Sequence, residues 1–126
     1  MTTSYLPEPD GEPDPGEGVW AWVAYEDDPS RGKDRPVLVI GRVGEELLCL
    51  QLTSKDHDRD AEDEARAGRF WMDVGAGDWD SRRRPSEIRL DRLLRLRDSG
   101  VRREGAAIDR DVFTAVVSAA EEYHTL

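Results

Sequence analysis

The sequence predicts a mainly β protein with a C-terminal α-helix, folded as a small, partly open barrel with the helix packed on it. Two observations carry that expectation. Several short apolar runs rich in Val, Ile, Leu and Trp are separated by Gly, Pro and charged residues, and from Asp109 onward Val112, Phe113, Val116, Val117 and Ala120 recur at the i, i+3, i+4 spacing of an amphipathic helix. The length of 126 residues adds a bound, since it admits one small domain and no deep, multilayered cleft.

Residues 1–17 are rich in Pro, Glu, Asp and Gly and lack periodicity, as expected of a disordered acidic tail, which puts the domain at 18–126. The aromatic and β-branched stretch 19–25 suits a first strand, and 26–34 has the composition of a long connecting loop. The run Val37, Leu38, Val39, Ile40 reads as a strand buried on both faces, with Pro36 at its first position, where no ladder N–H is required. A third strand over 47–52 follows through Gly41 and Gly44. Residues 56–66 are charged and expected in a solvated loop with one helical turn. Further strands are expected over 69–74, 86–90 and 93–96, with a Gly- and Arg-rich loop at 75–85, and Asp109 is placed to cap the final helix.

Apolar and charged residues each make up 37% of the chain, close to the limit of what can order a backbone. The net charge of −10 argues against a nucleic-acid partner until its distribution is considered. The first 30 residues hold eight carboxylates and no Lys or Arg, which leaves only −2 on residues 31–126. Within 82–103, nine arginines face only Glu87, Asp91 and Asp98. The body of the domain is therefore locally basic. No run of about 18 apolar residues is present and the N-terminus has no basic and apolar leader, so a cytoplasmic protein with no membrane partner is expected. The single cysteine, Cys49, lies in an apolar run and reads as a small core residue.

Three segments, taken in order, resemble the opening half of PemK/MazF toxins: Gly-Val-Trp-Ala-Trp-Val at 18–23, Lys-Asp-Arg-Pro-Val-Leu-Val-Ile at 33–40, and Leu-Thr-Ser-Lys at 52–55. Glu-Ile-Arg-Leu-Asp at 87–91 and the C-terminal helix extend the resemblance to about residue 123. It implies an SH3-like barrel, a homodimer, and a metal-independent endoribonuclease that uses the 2′-hydroxyl of single-stranded RNA as its own nucleophile. It also implies a type II toxin-antitoxin pair with a cognate antitoxin protein. Such a reaction needs a cation for the extra charge of the pentavalent transition state and groups that move two protons.

By the resemblance, Arg35 matches the catalytic arginine and Thr53 the residue beside it, while Arg89 and Asp91 match an Arg-x-Asp used in cleavage by plasmid-encoded members. Physical chemistry supports Arg35, whose planar, permanently charged fork suits two phosphate oxygens; the competing reading is a structural salt bridge to Asp34 or Asp91. Thr53 and Ser54 end a strand, where hydroxyls often bond the backbone of the next turn. Plasmid-encoded members carry a first-loop histidine that 26–34 lacks, and His57 is the remaining candidate for proton transfer, against a solvated loop histidine. Ser54, Lys55, Trp79, Arg82, Arg83 and Arg84 are candidate RNA contacts, because aromatic faces beside guanidinium groups bind single strands; Trp71 is expected in the core. Residues 56–60 begin like a calcium loop, but Ala61 replaces the required glycine, so no metal and no cofactor are assigned. The alternatives are a catalytically silent barrel acting as a binding or dimerisation module, and a regulator held by an antitoxin peptide.

Overall fold

The computed structural model describes residues 14–55, 61–102 and 107–125. Its strands are β1 (Gly18–Ala24), β2 (Gly32–Val43), β3 (Glu46–Thr53), β4 (Trp71–Gly75), β5 (Ser86–Arg89), β6 (Leu94–Arg97) and β7 (Val101–Arg102), with helices α1 (Ala61–Arg66) and α2 (Arg110–Ala120). All seven strands belong to one sheet ordered β4-β5-β3-β2-β1-β7, and β6 also pairs β3. Every pairing is antiparallel. Among the described residues the ends of the sheet, β4 and β7, do not pair with each other, so the sheet is open.

β3 organises the fold because it is apolar on both faces. Leu48, Leu50 and Leu52 join Leu38, Ile40 and Ile88 in the larger core, and α2 lays Phe113, Val116, Val117 and Ala120 on it. The Asp109 side chain caps α2, accepting from the Asp111 N–H at 3.1 Å, as its position before the periodic segment predicts. Leu47 and Cys49 turn the other way, into a smaller core with Val19, Ala21, Val23, Val37 and Val39. Burial pushes the Cys49 thiol up to about 12, which makes it an inert core group. β2 and β3 are joined by a two-residue turn in which Gly44 supplies the positive φ of 60°.

Three expectations are corrected. β2 begins at Gly32, so Pro36 stands inside the strand and not at its start. Its missing N–H costs nothing, since pairing of β2 with β3 begins only at Val37 and residues 32–36 have β1 as their single neighbour. The packed body also starts before Gly18. Gly16 N–H donates to Val39 O, Val39 N–H donates to Glu17 O, and Glu17 is buried, all because this segment extends the pairing along β2. The rest of the acidic tail, residues 1–13, lies outside the described residues.

The third correction concerns the tryptophans. Trp79 is 3% exposed and belongs to the larger core, whereas Trp71 is only half-buried, its Nε1–H directed at Glu64. Trp79 fits because glycines line its seat: a Cβ on Gly77 would fall 2.1 Å from Trp79 Cζ3, and one on Gly18 would fall 3.2 Å from Trp79 Cβ. Gly77→Ala should accordingly destabilise the domain by about 1–3 kcal/mol through overpacking, read as a fall in thermal midpoint. An unchanged midpoint would mean that the indole shifts freely and does not anchor this side of the core.

Candidate functional site

Opposed residues of an antiparallel pair share a face, as do residues two apart on one strand. The pairs Val37 with Gln51, Thr53 with Glu87, and Trp71 with Arg89 therefore set Arg35, Gln51, Thr53, Glu87 and Arg89 on one face, continuous with the smaller core. Gln51, Glu87 and Arg89 are buried. A sheet that is apolar at one end of this face becomes polar at the other, where the β1–β2 loop comes down on it.

Arg35 is half-buried, and among the described residues no carboxylate pairs with it. Its two alternative partners are taken: Asp34 binds Arg102 at 3.1 Å and Asp91 binds Arg89 at 2.7 Å. Burial lowers the Arg35 pKa from the ordinary arginine value; Tyr25 opposes that and the neighbouring Arg92 reinforces it. The guanidinium still stays charged. Arg92 itself donates to the Ala24 carbonyl at 2.8 Å. Among the described residues neither Arg35 nor Arg92 has an acidic side-chain partner.

Thr53 ends β3, and its Oγ1 accepts from the Lys55 N–H at 3.2 Å, the local turn expected of a hydroxyl there. Arg35 and Thr53 also edge a cavity of about 230 Å³ on the opposite side of the strand ends, lined by Trp20, Pro36, Leu52, Ser54, Trp79 and Arg84 among others. A relay builds its wall: Trp20 Nε1–H donates to Trp79 O at 2.9 Å, Trp79 Nε1–H to Ser86 Oγ at 3.1 Å, and Ser86 Oγ–H to Arg84 O at 3.2 Å. A neighbouring cavity shares Ser54, Arg84 and Ser86 and adds Lys55.

The remaining predicted contacts separate. Trp79 is corrected as a stacking surface, because its ring is enclosed by the core and only borders the cavity. Arg83 pairs with Asp78, and Arg84 pairs with the buried Asp80 at 2.7 Å, so these two are held by acids of their own loop. The bond from Arg84 holds the Asp80 carboxyl below its usual range. Arg82 is exposed, with no acidic side-chain partner among the described residues. His57 lies outside the described residues.

Arg89 and Asp91 do meet, yet they meet each other. Arg89, its side chain 7% exposed, donates from Nε and Nη2 to Asp91 and from Nη1 and Nη2 to Glu26, at 2.7–3.1 Å. Burial works against its charge, but the bonds to Asp91 and Glu26 outweigh it and the pKa is raised. Asp91 also accepts the Phe70 N–H at 2.7 Å, which fixes the carboxylate that holds Arg89. Glu26 was not singled out from sequence. The only available signal was its place as the first residue of the long loop.

The chain is thus a mainly β protein, an open antiparallel sheet with a C-terminal helix, which carries within β2 an arginine without an acidic partner among the described residues and, at the end of β3, a threonine that edges the same cavity. The family model described as PemK-like, MazF-like toxin of type II toxin-antitoxin system matches residues 14–123, and the chain belongs to that family. A search of curated proteins returns no match. No helix among the described residues is long and apolar enough to cross a membrane.

Proposed function

We propose that the chain is the toxin of a type II pair, an endoribonuclease that cleaves single-stranded RNA by attack of the RNA's own 2′-hydroxyl. It works as a cytosolic homodimer restrained by a cognate antitoxin. The observation that carries this reading is Arg35, a partly desolvated cation with no acidic partner among the described residues, beside Thr53. Arg35 stabilises charge that develops on the phosphate oxygens, and Thr53 orients the phosphate through its hydroxyl. Ser54, Lys55, Arg82 and the outer edge of Arg89 supply further polar and cationic contacts along the strand.

Membership of the family supports an antitoxin partner, and the locally basic body supports a polyanionic substrate. The test is expression of the domain in a bacterium together with incubation of the purified protein with single-stranded RNA and a chelator. Growth arrest and RNA ends bearing a cyclic phosphate are expected; RNA left intact by a folded protein overturns the reading. A second reading, the silent binding module, is favoured by one observation: each nitrogen of the Arg89 guanidinium already donates to Glu26 or Asp91.

A further inference from the structure

Arg89 is neutralised twice. Its inner partner is Asp91, 12% exposed and fixed by the Phe70 N–H; its outer partner is Glu26, 54% exposed and carried on the β1–β2 loop. The two carboxylates differ in kind. Asp91 alone balances the buried charge, so loss of Glu26 leaves no unpaired ion inside the protein. Glu26 grips the end of the fork with two parallel bonds, Nη1–H to Oε1 at 3.1 Å and Nη2–H to Oε2 at 2.9 Å. Two oxygens on one centre facing two guanidinium nitrogens is also how a phosphodiester presents its non-bridging oxygens.

The surroundings favour exchange at that edge. Arg35 and Arg92 stand near the loop, whereas Arg69, which feels both Arg89 and Glu26 across it, is already paired with Glu64. Glu26 forms the solvent-facing half of this pair, so another anion can reach its bonds to Arg89 from outside while Asp91 keeps the inner half. We propose that Glu26 is an internal substitute for the substrate phosphate: its carboxylate holds the outer edge of Arg89 in the free protein and yields it to a phosphodiester when RNA enters. The inference rests on the RNA-cleaving reading for the identity of the ligand, and it adds a self-competing residue to the same site.

The contrast that tests it is Glu26→Gln against Asp27→Asn, both in the full chain. Each removes one negative charge from the same loop, but Asp27 is exposed and has no bond to Arg89. The probe is a short single-stranded oligonucleotide with 2′-O-methyl sugars, which can bind but has no nucleophile, so binding is read whether or not the protein cuts. Glu26→Gln should tighten binding by roughly two- to five-fold at physiological salt. Asp27→Asn should change it less, because a charge acting only at a distance is screened there. Equal effects of the two substitutions, or weaker binding by Glu26→Gln, overturn the proposal. If the parent holds no RNA at all, the nucleolytic reading fails, and inorganic phosphate decides the exchange by itself. Glu26→Gln must then gain more thermal stability from phosphate than the parent does, and an equal gain overturns the inference.

Discussion

Arg35→Ala should lower single-turnover cleavage of single-stranded RNA by about 100-fold or more while leaving the thermal midpoint unchanged or slightly raised. The separation of the two effects follows from the geometry. A guanidinium that is partly desolvated, next to Arg92 and without an acidic partner among the described residues contributes nothing favourable through ion pairing, so its removal relieves an electrostatic cost. Its benefit arises only when negative charge appears on the phosphate. RNA binding should weaken much less, since Arg82, Lys55 and the outer edge of Arg89 remain. Thr53→Ala should show the same pattern more mildly, as expected of a hydroxyl that orients and carries no charge. A folded Arg35→Ala protein that cuts at the parent's rate removes Arg35 from the mechanism. One that unfolds at low temperature returns it to a structural role.

Arg89→Met should do the opposite, with its largest effect on stability. Taking away the guanidinium leaves Asp91 buried with the Phe70 N–H as its remaining donor, and breaking a buried pair in this way costs about 3–5 kcal/mol. Small domains have about 5–15 kcal/mol in total, so a fall in thermal midpoint of roughly 10–20 °C is expected. Replacing both members, Arg89→Met with Asp91→Leu, should recover much of that loss, because no uncompensated charge is then left inside. A midpoint within a few degrees of the parent's in the single variant would show that Asp91 reaches water. Together the Arg35 and Arg89 variants test whether one arginine acts on substrate while the other holds the site together.

Local chemistry made much of this architecture readable in one dimension. The β-branched and aromatic runs of β1 and β2 admit few conformations besides strands, the apolar residues of β3 need cover on both faces, and Asp109 ahead of an i, i+3, i+4 pattern both starts and orients α2. The family resemblance rests on the same short-range features, and the matched span of 14–123 agrees with the extent of the segments that carry it. Arg35 and Thr53 were legible for that reason, since Arg35 stands directly before Pro36 and the apolar run of β2, and Thr53 ends the apolar run of β3.

What only the tertiary structure decided is who meets whom across long stretches of chain. Trp71 and Trp79 are equally apolar as residues, and the choice of which one enters the core was made by Gly18 and Gly77, the first of them 61 positions before the ring it accommodates. Pro36 is tolerated within β2 because β3 begins to pair one residue later, a matter of register that composition does not encode. The Arg-x-Asp spacing keeps Arg89 and Asp91 close in the chain, but it gave no sign that a third group would join them. Glu26 arrives from 63 residues away, and a charge can be assigned a partner only when folding has set the distances over which Coulomb attraction and desolvation compete.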